Sequence, residues 1–232
     1  MKTIICKKKE AAVCGAEMIG EIVRKKPDAV LAMASGRTMQ PLWLELAELH
    51  KKEELQFSRA RILCVTEFVG VERNKTCRFM LENGLLKNVD ARPENFYVPD
   101  PADPEGYDDL IGQLGGIDLA VIGIGENCHI GYNEPGTLYD SKTHIQKLTE
   151  RTKRQLLKRD FTVEDMPQSA VTMGVKTLTS AHRILMLAEG EDKAGAVYQM
   201  LYAKTTPYVP AAYLQIPLEV TVILDDEAAR EL

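Results

Sequence analysis

The chain has no excess of basic residues: 29 Lys and Arg stand against 34 Asp and Glu, for a formal net charge of −5. That argues against a nucleic-acid binder working through general basicity, although a small local site for an anionic metabolite is still allowed. There is no CxxC pair. The five cysteines (Cys6, Cys14, Cys64, Cys77 and Cys128) are odd in number and scattered, and they read as reduced thiols of a cytoplasmic protein. No apolar run approaches the roughly 20 residues that span a membrane. Residues 1–6 run straight into Lys7-Lys8-Lys9-Glu10, where a secretory leader would need its apolar stretch. Internal repeats and long linkers are missing too, and the Pro/Asp-rich turn at 99–104 is too short to separate domains. What remains is 232 residues, 45% of them hydrophobic, enough for one substantial core and a single domain over 1–232.

Strand-like and helix-like segments alternate along this length. Helices are expected over 10–26, ended by Pro27, over 38–54, over 74–85, ended at Asn83-Gly84, and over 105–114 and 193–203. In the second of these, Trp43, Leu46 and Leu49 recur at helical spacing and read as core packing. Short apolar runs at 29–34, 61–65, 96–98, 118–122, 184–188 and 220–224 read as buried strands. The alternation predicts an α/β fold: a mostly parallel sheet flanked by helices, Rossmann-like in kind.

One stretch carries most of the functional information: Gly123-Ile124-Gly125-Glu126-Asn127-Cys128-His129-Ile130-Gly131-Tyr132-Asn133-Glu134-Pro135-Gly136. A buried parallel strand at 118–122 delivers it to the carboxyl end of the sheet, where open α/β folds bind ligands. His129 and Glu134 can both move protons near neutral pH once their surroundings tune them. Plainer readings stand beside this one. GxG after a strand is common, a lone loop histidine is more often a surface or capping residue, and 133–136 reads equally as a turn. Three polar groups at the end of an apolar strand tip the balance toward catalysis. Cys128, in the same loop, reads as a small filler residue.

Three further strand ends supply candidate chemistry. Ser35-Gly36-Arg37-Thr38 offers hydroxyls and backbone N–H groups at a helix start, an anion site to which Arg37 adds charge, or else an ordinary N-cap. Thr66-Glu67 places a carboxylate after a strand, either a base or a surface charge. Gly190-Glu191-Asp192-Lys193 places a lysine that reads as a phosphate clamp or a solvated side chain.

Taken together, these segments resemble the glucosamine-6-phosphate deaminase family, also called glucosamine/galactosamine-6-phosphate isomerases, to which the 6-phosphogluconolactonases are related. The resemblance runs from the strand before Ser35 to Leu224 and is most specific in Gly123-x-Gly125-x-x-x-His129-Ile130-x-x-Asn133-Glu134-Pro135-Gly136. The Asn-Glu-Pro element points to the deaminases rather than the lactonases, and Ala170-Val171-Thr172-Met173-Gly174 matches a deaminase strand and turn. Lys25-Lys26-Pro27-Asp28-Ala29, Gly190-Glu191 and Val209-Pro210-Ala211 look closer to the galactosamine type.

The resemblance implies the phosphosugar isomerase/deaminase variant of the fold and a phosphorylated amino sugar as substrate. It implies no metal or organic cofactor, and relatives that are often multimeric. The reaction it implies opens the sugar ring, moves a proton from C2 to C1 and releases ammonia, leaving a ketohexose 6-phosphate. His129 would shuttle the ring-opening proton, with Glu134 and the position of Asn127 orienting it. Ser35, Gly36, Arg37, Thr38 and Lys193 would hold the phosphate. Lys158 and Arg159 fall near a further basic position of relatives, where a solvated helix face is the plainer reading.

Three positions depart from the family pattern. Arg37 stands where the family usually has glycine or another small residue, and adds bulk and charge to the phosphate loop. Asn127 stands where the family has an aspartate; its carbonyl can still accept a hydrogen bond, but it cannot stabilise an imidazolium as a carboxylate would. Thr66 stands where the family places its C2-proton base, also an aspartate, and a threonine hydroxyl is not ionised near neutral pH. Either Glu67 swings in, or another carboxylate serves, or the usual C2 deprotonation is lost. The alternatives to a deaminase are a related phosphosugar isomerase, a lactonase-like hydrolase, and a non-catalytic sugar-phosphate-binding paralogue.

Overall fold

The computed structural model describes residues 1–158 and 161–232. Its ten strands are β1 (Lys2–Cys6), β2 (Val30–Met33), β3 (Arg61–Cys64), β4 (Thr66–Phe68), β5 (Phe96–Tyr97), β6 (Leu119–Gly123), β7 (His144–Lys147), β8 (Ser169–Thr172), β9 (Arg183–Ala188) and β10 (Val220–Asp225). Between them lie α1 (Lys8–Lys25), α2 (Met39–Lys51), α3 (Cys77–Gly84), α4 (Pro104–Gln113), α5 (Glu150–Leu157), α6 (Val175–Thr179) and α7 (Ala194–Tyr202). Among the described residues no helix is long and apolar enough to cross a membrane.

Seven strands form one sheet in the order β1-β10-β9-β6-β2-β3-β5, and every neighbouring pair is parallel. The expected α/β architecture is therefore present. A second sheet, β4-β8-β7, is antiparallel and stands apart from the first.

Successive residues of a strand face opposite sides, and the core divides accordingly. Leu31, Met33, Leu119 and Val121 join one buried cluster with the apolar faces of α1, α2 and α3. Val30, Ala32, Ala120 and Ile122 join another with residues of α4, α6 and α7. Capping chemistry fixes the helix starts: Asp103 accepts from the Gly106 amide at 3.1 Å ahead of Pro104 in the first turn of α4. Thr76 does the same for α3 through the Phe79 amide.

The chain leaves β2 toward β3 on one side of the sheet, and β6 toward β9 lies on the other. The loops after β2 and β6 therefore diverge and leave a crevice at their carboxyl ends, the usual ligand position in an open α/β sheet.

Candidate active site

A cavity of about 720 Å³ occupies that crevice. Its lining includes Ser35, Gly36, Arg37 and Thr38 after β2, Thr66 after β3, Gly123 and Gly125 at the end of β6, His129 beyond them, and Lys193 after β9. Chain segments far apart in sequence thus bring the Ser35–Thr38 turn, the lysine and the imidazole to one open crevice.

The His129 loop is tightly constrained. Cys128 sits at φ 68° and Gly131 at φ 57°, left-handed conformations that reverse the chain on both sides of the histidine and its neighbour. Asn133 is fully buried, and its side-chain amide donates to the Ile130 and Met173 carbonyls at 2.8 Å each, pinning the loop to the strand end at β8. Gly125 leaves room for the imidazole itself, since a Cβ there would overlap both ring nitrogens.

Behind the ring lies Glu134, only 1% exposed. His129 Nδ1 stands 3.7 Å from Glu134 Oε2 and 3.4 Å from Thr152 Oγ1. The Glu134 carboxylate also accepts from Asn127 Nδ2 at 2.6 Å and from the Thr149 amide at 3.1 Å. Burial alone would push its pKa up. The imidazole, Thr152 and the Thr149 amide outweigh burial and hold it down at about 2, so the carboxylate is ionised throughout the neutral range. With Nδ1 turned to this buried anion, proton transfer into the cavity falls to Nε2.

Elsewhere in the lining, Thr38 occupies the N-cap position of α2 with no side-chain capping bond, so its hydroxyl is not committed to the helix. The chain turns there through Met39 N–H to Gly36 O and Gln40 N–H to Arg37 O. Lys193 is buried, with Nζ 3.3 Å from Asp192 Oδ2, and a buried lysine that lines a cavity is poised to meet an anion.

Residues 8–223 match the model of a family described as glucosamine-6-phosphate isomerases/6-phosphogluconolactonase. The chain belongs to that family. It is 35% identical to a glucosamine-6-phosphate deaminase of Bacillus velezensis, over 99% of both chains. It is also 35% identical to one of Clostridium acetobutylicum, over 96% of each. Among solved structures, a monomeric glucosamine-6-phosphate deaminase superposes with a TM-score of 0.97 at 32% identity over the whole of both chains. A 6-phosphogluconolactonase from Trypanosoma brucei superposes at 0.77 with 18% identity, a likeness of fold alone.

Thr66 lines the cavity, and its Oγ1 lies 3.5 Å from the Cys77 thiol, itself pushed by burial up to about 12. Glu67 does not swing in. Its carboxylate accepts from the amides of Phe68 and Cys77 at 2.8 Å and Arg78 at 2.9 Å, and it is absent from the cavity wall. The amides of Cys77 and Arg78 belong to the first turn of α3, so Glu67 is an anion seated on a helix N-terminus and ties β4 to α3. Burial raises its pKa and these amide bonds oppose the rise.

Asn127 keeps the acceptor role open to an amide: its Oδ1 receives the His129 backbone N–H at 3.3 Å while its Nδ2 serves Glu134. Glu134 is thus the one carboxylate among the described residues that holds the imidazole.

Sequence reading passed over Thr152 and Thr149. Thr149 caps α5, Thr152 bridges Asn127, Thr149 and the imidazole, and Thr152 lines the cavity. The signal was available in Thr149-Glu150-Arg151-Thr152, a cap followed by an acidic first turn. Lys158 is exposed at the end of α5, as the plainer reading has it, and Arg159 lies outside the described residues.

Proposed function

We propose that this chain binds a hexosamine 6-phosphate and acts on it as a deaminase/isomerase, giving a ketohexose 6-phosphate and ammonia. The carrying observation is that the Ser35-Gly36-Arg37-Thr38 turn, Lys193 and the His129–Glu134 pair bound one cavity. An anion held by backbone N–H groups and a lysine at one wall sets the sugar ring against Nε2 at the other. The relatives' names support an amino sugar as the ligand. A cytoplasmic setting goes with five unpaired cysteines.

The choice between epimers belongs to groups around the sugar ring. The segments that resemble the galactosamine type, at 25–29, 190–191 and 209–211, do not line the cavity. Glucosamine 6-phosphate and galactosamine 6-phosphate are therefore both offered in the test.

Ammonia release from each, followed with a coupled dehydrogenase, decides the reading. Release is expected with at least one of the two, falling about 10²–10⁴-fold in His129→Ala. No release with either sugar, in the parent as in His129→Ala, removes the deaminase assignment.

A second reading has its own observation. Thr66 puts a neutral hydroxyl where a base is needed, as befits a chain that holds the phosphosugar and turns it over little. Affinity for glucosamine 6-phosphate that collapses in Lys193→Ala, with no product formed, would carry that reading.

A further inference from the structure

The buried face of α5 is made of Thr152, Gln155 and Leu156, and all three line the cavity. Residues three and four apart share one side of a helix, so these side chains stand together. Thr152 is engaged with Asn127, Thr149 and the imidazole, and Leu156 has nothing to offer a polar ligand. Gln155 differs from both. It is only 7% exposed, and its Nε2 has no hydrogen-bond partner among the described residues. A side-chain amide shut away without a partner costs the fold stability and is uncommon, so it calls for a functional account.

We propose that Gln155 is a specificity-determining residue of this cavity, donating from its side-chain amide to a hydroxyl on the C3–C4 edge of the bound sugar. The inference rests on the phosphosugar reading above and names a partner for the part of the sugar that reading leaves bare. In that reading the phosphate falls to the Ser35–Thr38 turn and Lys193, C1 and the ring oxygen to His129, and C2 to the neighbourhood of Thr66. Gln155 comes from α5, which meets the imidazole through Thr152, and it belongs to neither loop that holds the phosphate.

A neutral amide suits a hydroxyl. It carries two N–H donors and a carbonyl acceptor, and a sugar hydroxyl both accepts and donates. The terminal torsion of glutamine is soft, so either end of the amide can turn to the ligand. No charge is brought beside the apolar part of the lining, to which Leu156, Phe161 and Phe68 contribute. Glucosamine and galactosamine differ in configuration at C4, so a donor on this edge also bears on the choice of epimer.

The test compares the parent with Gln155→Met, which keeps an unbranched side chain of similar length and removes the amide. Affinities are measured by titration calorimetry with glucose 6-phosphate, its 3-deoxy and 4-deoxy analogues, and inorganic phosphate. None of these carries an amine, so none is consumed by ammonia release. Gln155→Met should bind glucose 6-phosphate about 10–100-fold more weakly and inorganic phosphate as tightly as the parent does. The parent should lose a similar factor on one of the two deoxy analogues, and the variant should not tell that analogue from the full sugar. Without ligand, the variant should unfold at a higher urea concentration, because a buried unpaired donor is gone; a glutamine with a merely structural role would give the opposite. An unchanged affinity for glucose 6-phosphate in the variant overturns the inference, as does an equal loss for inorganic phosphate. A parent that binds both deoxy analogues as tightly as glucose 6-phosphate overturns it too, without recourse to any variant. Each of these results leaves the phosphosugar reading standing. A parent that binds neither glucose 6-phosphate nor inorganic phosphate overturns that reading as well.

Discussion

Glu134 illustrates how much one buried carboxylate controls. Its folded pKa, about 2, lies below the unfolded glutamate value of about 4.3. A depressed carboxylate contributes stability that is present in full above the unfolded value and lost as pH falls through the folded one. The contribution is on the order of 3 kcal/mol. Urea unfolding of the parent and Glu134→Gln should therefore diverge progressively between about pH 2 and pH 4.3, with a constant difference above that window. At position 66 the expectation concerns rate: Thr66→Asp should raise ammonia release by about 10²–10⁴-fold, measured with saturating glucosamine 6-phosphate. His129, Glu134 and Lys193 were legible in the sequence because each follows a strand end, where a polar side chain has no packing reason to be. Glu67 was misread for the same reason. Its position after a strand resembles a base, yet the amides that engage it come from α3, about ten residues on, and no local pattern announces that return.

At the scale of elements, Glu67 is the link between β4 and α3. Replacing it with Gln gives one of its two acceptor oxygens over to an NH2 group and leaves buried amides short of a partner. The cost should be about 1–3 kcal/mol, visible as a lower urea midpoint with an unchanged slope. Strands β2, β3, β6, β9 and β10 were readable because each is a short, mostly buried apolar run between turn residues, whereas the edge strand β1 is largely exposed and was not expected. The small antiparallel sheet was harder. β7 alternates between half-buried and exposed residues, and the three residues of β4 follow β3 after a single residue, so neither forms a distinct apolar block. The α2 boundary differs from the expected 38–54 as well. The helix stops at Lys51, and Glu53 takes a left-handed φ of 60° that a continuing helix cannot accommodate.

For the whole molecule, the crevice between the divergent loops is the organising fact. It follows from strand order, which pairwise reading of strands and helices does not supply: the alternation predicted parallel strands but not which two would diverge. The sole tryptophan, Trp43, lies in the crevice wall with its indole N–H unpaired. Saturating phosphosugar should therefore change its emission, and Lys193→Ala should move the midpoint of that change to higher concentration.

The bare α-carbon at position 125 has a consequence for how this protein can vary. Only the His129 imidazole occupies the space a methyl group would take, so Gly125→Ala would evict the ring and leave the surrounding backbone in place. In a saturation library, that codon would look permissive when scored for soluble expression and intolerant when scored for turnover.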